Sequence, residues 1–135
     1  MAGVMLDSDI CIYAINDNPP EVRRRLEGFT FSVTIVSAIV AAELFAGAAK
    51  SARRAKNEMV LRQFLSRATV LDWPTEAAAL YGEIRATLER RGKLIGLFDM
   101  LIAAHALARD ATLITSNVAE FRRVEGLRVE SWVNR

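Results

Sequence analysis

Five short apolar runs constrain this chain more than any other feature. They read GVML at 3–6, FSVTI at 31–35, TVL at 69–71, ATLIT at 111–115 and RVESW at 128–132. Each is of strand length and mostly β-branched or aliphatic, and longer segments of helical character separate them. Residues 8–16 read as a short helix. Pro19 and Pro20 open a second at 21–26, since proline is tolerated in a first turn, and Gly28 ends it. Ser37 is a plausible cap for a helix through Ala49. Residues 53–67 form an amphipathic helix with Met59, Leu61, Phe64 and Leu65 as its stripe. Pro74 and Glu76 mark the first turn of a helix that runs to Arg91 and stops at Gly92. Residues 98–108 are almost wholly apolar and read as a buried helix. Strands alternating with helices predict an α/β fold with a mostly parallel central sheet of about five strands and helices on both faces.

The 135 residues correspond to one domain, 1–135, without linker or repeat. Hydrophobic residues make up 52%, enough for a core and too many for disorder. The single Cys11 excludes an internal disulfide, and with one His, His105, a thiolate or imidazole zinc site is excluded too. Residues 33–49 are apolar but contain Glu43 and fall short of the ~20 residues a membrane span needs. The N-terminus lacks a basic n-region, and Asp7 interrupts its apolar run, so a cytoplasmic protein with no membrane segment is expected. The net charge is only +2. That is too little to argue for a nucleic-acid partner, although the bases are mainly Arg, whose fork suits phosphate.

Three acids stand in the wrong company. Asp7 ends the first strand, Glu43 is the only charge between Glu27 and Lys50, and Asp99 is the only Asp, Glu, Lys or Arg between Lys93 and Arg109. No basic residue lies within four positions of any of them. A carboxylate in apolar surroundings is costly unless paired or bound to metal, so each calls for a cation supplied from elsewhere. Ligands of parallel α/β sheets bind at the carboxyl ends of the strands, which draws attention to Asp7, Ser8, Ser37 and 115–117. Three oxygen donors with no compensating base suit Mg²⁺ or Mn²⁺ rather than zinc. Ser8, Ser116 and Asn117 add neutral oxygens at the same edge, and Glu120 lies one turn on. Asp9 reads as a cap of the first helix.

LDSDICIYAI, SAIVAAELFAGA and IGLFDMLIAAHALARDATLITSNVAEFRRVEGLRVESWV together resemble the PIN-domain ribonucleases. They are most similar to the VapC toxins of bacterial toxin–antitoxin pairs, over nearly the whole chain. By that resemblance Asp7, Glu43 and Asp99 match the family's metal-binding, catalytic acids. The family's fourth acid, in a T-x-D pattern, is Asn117 here; Glu120 reaching in, or Asn117 through its amide oxygen or a water, would take its place. Ser8 stands where Thr is frequent, and Leu97 where Pro is frequent. The implied activity is Mg²⁺-dependent cleavage of RNA, tRNA in particular. Asp7 and Asp99 would hold the ion, and Glu43 would hold it or orient the attacking water. Water attack leaves a 5′-phosphate; attack by the RNA 2′-hydroxyl leaves a cyclic phosphate. Implied partners are a VapB-like antitoxin, an Arg of which would enter the acidic pocket, and a second copy of the chain. The homodimer expectation also rests on Ile10, Ile12, Tyr13, Leu44 and Phe45 as apolar surface. Candidate phosphate contacts are Arg23, Arg24, Lys50, Arg53, Arg54, Arg90, Arg91 and Lys93.

Two rivals compete. Asp7-Ser8-Asp9 mimics the D-x-D of haloacid-dehalogenase phosphatases, although none of the three Lys lies beside a strand end. A non-catalytic module would use the same acids to accept basic side chains of a partner.

Overall fold

A computed structural model describes residues 3–133; 1, 2, 134 and 135, included in the expected domain, lie outside the described residues. Five strands form one sheet: β1 (Val4–Leu6), β2 (Thr34–Ser37), β3 (Thr69–Leu71), β4 (Thr112–Ile114) and β5 (Val129–Glu130). Their order is β3-β2-β1-β4-β5 and every pairing is parallel. Val4, Met5 and Leu6 are all buried, so side chains on both faces of the central strand are covered. That is the signature of a parallel sheet between helical layers.

The helices are α1 (Ser8–Asn16), α2 (Pro20–Leu26), α3 (Ala38–Lys50), α4 (Arg54–Leu65), α5 (Ala77–Arg90), α6 (Leu97–Ala108) and α7 (Val118–Phe121). The helices that follow β1 and β2 each start on a polar cap. Asp7 accepts from the Ser8 N–H and opens α1; Ser37 accepts from the Ile39 N–H and opens α3. Gly92 adopts φ +63° just beyond α5, the left-handed conformation glycine supplies at a helix end. The core gathers Met5, Leu6, Ile10, Val36, Ile102, Leu113, Ile114 and Phe121, none measurably exposed.

Three local expectations are corrected. Residues 31–33 form a 3-10 turn and β2 begins at Thr34, because the Thr30 carbonyl takes the N–H groups of Val33 and Thr34. Pro74 and Glu76 belong to a turn preceding α5; the Pro74 carbonyl accepts from Ala77. Finally, α1 does not present Ile10 as surface. Ile10 and Leu44 are buried, and only Ile12 of the named apolar residues is largely exposed. The chain order runs outward from β1 to β3 and then returns across β1 to β4. The carboxyl ends of β1 and β4 therefore flank the topological switch point, where open α/β sheets bind ligands.

Candidate active site

At this switch point Asp7 leaves β1, buried to 6% exposure. Its Oδ1 takes the Ser8 N–H at 2.8 Å, and its Oδ2 takes the Thr115 hydroxyl at 2.7 Å. The Thr115 oxygen in turn accepts the Asn117 N–H at 3.0 Å. The β4 end thus holds the β1 carboxylate through a hydroxyl. Burial raises the pKa of Asp7 and the neighbouring Asp9 raises it further; the bonds from Thr115 and Ser8 pull the other way.

Asp9 does more than serve its own helix. Its Oδ1 accepts the Ile10 N–H at 2.8 Å, while Oδ2 takes both the backbone N–H and the hydroxyl of Ser116. The cap of α1 is Asp7. Asp9 is therefore a latch between α1 and the loop after β4, which corrects the expectation of a simple cap. Asn117 donates from its amide to Glu120 at 3.0 Å, so these two substitutes for a fourth acid are bonded to each other.

The helical acids differ. Glu43 lies on α3 with Oε1 buried and without a hydrogen-bond partner. Its pKa is raised by burial, then by the charges of Asp7 and Asp99. Asp99 sits in the first turn of α6 and is pushed up to about 6 by burial, then by Asp7, Glu120 and Asp9. The couplings mean that Asp7, Glu43 and Asp99 share one electrostatic neighbourhood, with Asp9 and Glu120 at its margin. No cation within the chain pairs with Glu43 or Asp99 among the described residues.

Hard oxygen donors with an orphaned, buried carboxylate oxygen fit a small divalent cation. Among the described residues, no three His, Cys, Asp or Glu side chains are already gathered closely enough to hold an ion. Mg²⁺ needs only one or two carboxylates because it retains several waters. Two other groups with reactive chemistry are withdrawn. Burial pushes the Cys11 thiol far up, and Asp7 and Asp9 add to the effect. His105, buried on α6, is lowered to about 4 by burial and Arg109.

The basic residues divide into two sets. Arg23 is committed to the Ala14 and Ile15 carbonyls, Arg54 to Glu58 and Arg90 to Thr87. Arg24, Lys50, Arg53, Arg91 and Lys93 are exposed, and their side chains bond to no other side chain or backbone group among the described residues. A groove of about 630 Å³ starts at Ser8 and Glu43 and runs past Ile12, Leu44, Val60 and Lys56. No helix among the described residues is long and apolar enough to cross a membrane.

Residues 4–127 match the family model of the PIN domain. The chain is 44% identical to Ribonuclease VapC2 of Rickettsia felis, covering 95% of this chain and 96% of that one. It is 41% identical to the tRNA(fMet)-specific endonuclease VapC of Salmonella typhimurium, covering 98% and 99%. The DNA-bound VapBC of Salmonella typhimurium superposes with a TM-score of 0.92 at 40% identity, covering 98% of this chain and 100% of that one. VapBC2 of Rickettsia felis, bound to a promoter fragment, gives 0.89 at 40%, covering 96% and 98%. The chain belongs to the PIN-domain family, a family of metal-dependent nucleases, and within it to the VapC ribonucleases of toxin–antitoxin systems. The phosphatase and the non-catalytic module are thereby overturned; Asp9, the second acid of the supposed D-x-D, is held by Ser116 and Ile10.

Proposed function

We propose that this ribonuclease acts in the cytoplasm and cuts tRNA with Mg²⁺, or Mn²⁺ in its place, held by Asp7, Asp99 and Glu43. The observation that carries the reading is the buried, unpartnered Oε1 of Glu43 beside two other raised carboxylates. Bound there, the ion would acidify a water and offset charge on the scissile phosphate. Thr115 and the Ser8 N–H hold Asp7 in one orientation. Glu43, without a hydrogen-bond partner among the described residues, holds the ion or orients the attacking water, and Asn117 is bonded to Glu120 beyond Thr115. With His105 buried at one end of its helix and Cys11 protonated, neither of these two side chains competes as nucleophile. The free bases Arg24, Lys50, Arg53, Arg91 and Lys93 guide the RNA, and their contribution weakens with salt. The tRNA substrate is supported by the named specificity of the Salmonella relative.

The partner is a VapB-like antitoxin, supported by the VapBC complexes to which this chain is similar. An Arg of the antitoxin would enter among the unpaired carboxylates, and apolar residues would follow the groove past Ile12 and Val60. The working toxin is a homodimer, with light scattering at micromolar concentration as its check. Cleavage of tRNA should require Mg²⁺, stop with a chelator and leave a 5′-phosphate. A cyclic phosphate end, or full activity with the chelator, would overturn this mechanism. Changing the antitoxin Arg to Ala should relieve inhibition, and excess Mg²⁺ should compete with it; equal inhibition without that Arg would indicate steric blocking instead.

A further inference from the structure

His105, like Cys11, is a buried ionisable group that the cleavage chemistry leaves unused. It is wholly buried, and its Nδ1 lies 2.8 Å from the hydroxyl of Ser37, itself wholly buried. That hydroxyl also accepts the Ile39 N–H at 3.2 Å and so caps α3. The other ring nitrogen, Nε2, is buried without a partner. Whichever tautomer forms, one buried donor of the pair stays unmatched: the Nε2 proton in one, the Ser37 proton in the other. An apolar residue would avoid that cost, so stability alone gives no reason for a histidine here.

Its place in the fold supplies a reason. Glu43 lies six residues after Ser37 on α3, and Asp99 lies six residues before His105 on α6. The two helices pack on each other, and Glu43 and Asp99 are electrostatically coupled. The hydrogen bond and the two acids therefore lie on the same pair of packed helices, each acid about 9 Å along its helix from the bond at 1.5 Å per residue. A bond that ties the helices together there bears on the span between the acids. No hydrogen bond or ion pair of Glu43 or Asp99 does this directly.

Resting on the metal-site reading above, we propose that His105 is a positioning residue whose Nδ1 bond to the Ser37 hydroxyl sets the separation of Glu43 and Asp99 for the divalent ion. It touches neither ion nor RNA. Being held neutral down to about pH 4 suits a strut that must not gain charge in the core.

The test is Mn²⁺ binding to the RNA-free protein by electron paramagnetic resonance, alongside denaturant unfolding. His105→Leu and Ser37→Ala should each weaken Mn²⁺ binding about tenfold, the scale of outer-shell changes at metal sites. His105→Leu should unfold no more easily than the parent. His105→Asn, whose amide takes the place of Nδ1, should recover affinity to within about twofold, while His105→Gln, which reaches toward Nε2, should not. The double variant S37A/H105L should bind no worse than the weaker single, because both remove the same His105–Ser37 bond and the cap on Ile39 is already lost in Ser37→Ala. Parent-like Mn²⁺ affinity in a folded His105→Leu, or in Ser37→Ala should the Leu variant not fold, overturns the strut. So do losses that add in the double variant. Asp99→Asn serves as the reference: if it keeps Mn²⁺, the metal-site reading itself is wrong; if it loses Mn²⁺ while His105→Leu keeps it, only the strut is wrong.

Discussion

The acidic pocket has two halves built on opposite plans. At the β1 and β4 ends, Asp7 and Asp9 each accept donors on both oxygens, from Ser8, Ile10, Thr115 and Ser116. On α3 and α6, Glu43 and Asp99 have none among the described residues, and one Glu43 oxygen is buried bare. The strand half is finished by the fold, because parallel strands place their ends side by side with no freedom to drift. The helical half is unfinished, and what completes it must come from solution. The contrast explains why one carboxylate can be rigid and largely desolvated while its neighbours stay available to an ion.

The largest expected effect comes from removing charge on either half. Asp7→Asn or Asp99→Asn should lower tRNA cleavage about 10³-fold or more, since an ion contributes several kcal/mol to the transition state. Their stability in the absence of metal should not fall. Asn caps a helix about as well as Asp, so position 7 keeps the Ser8 bond, and at Asp99 repulsion is relieved. Full activity of either variant at saturating Mg²⁺ would end the metal-site assignment. Glu43→Gln should cost less, about 10–100-fold, if it positions rather than anchors. A loss as great as that of Asp99→Asn would instead make Glu43 a principal ligand.

How much of this pocket was visible in the linear chain follows the same division. Glu43 and Asp99 stand out as lone charges in apolar stretches and Asp7 as an acid without a base nearby at the end of an apolar strand, all one-dimensional properties. The strands are legible as short apolar runs; the first three residues of FSVTI mislead, since a 3-10 turn can bear the same apolar pattern, and RVESW is strand only at Val129–Glu130. Thr115 was marked only as a strand end, and Asp9 was read as a local cap. Their partners lie 108 and 107 residues away, and nothing in an isolated S-D or I-T records a meeting across the switch point. Helix α7, four residues long, is too short to show a period. His105 sits in a run that reads as a buried helix, but its bond to Ser37 requires α3 and α6 to be stacked first.

Smaller changes sharpen the strand half. Thr115→Val keeps the shape but removes the hydroxyl shared by Asp7 and the Asn117 N–H. Leaving those buried groups short of a partner should cost about 1–3 kcal/mol in unfolding free energy. Cleavage should drop about tenfold as Asp7 loses its orientation. Ser116→Ala should do less, because the Ser116 N–H still reaches Asp9 at 3.0 Å. If Ser116→Ala proved the more damaging of the two, the latch at Asp9 would matter more than the bond to Asp7.

The smallest effect, and the one that separates Asp99 from His105, is the pH dependence of metal-free stability. Asp99 is lifted from 3.8 to about 6, so between those values the folded chain holds its proton more tightly than the unfolded chain. Its contribution to stability is present below pH 4 and is lost as pH rises through 6. His105 is lowered from 6.5 to about 4, so the unfolded chain holds that proton more tightly. Its contribution is present above pH 6.5 and is lost as pH falls through 4. Two variants therefore tilt in opposite directions against the parent. In urea titrations with chelator, the advantage of Asp99→Asn should be near nil at pH 4 and reach a plateau above pH 6. Relative to the parent, His105→Asn should instead gain as pH falls from 6.5 to 4. Mg²⁺ at pH 7 should erase the advantage of Asp99→Asn, because the parent then gains from binding what the variant cannot hold. An advantage for Asp99→Asn that is the same at pH 4 and pH 7 would mean that the carboxyl is not held protonated by burial and its neighbours, and the unfinished half of the pocket would have to be completed by something other than a cation.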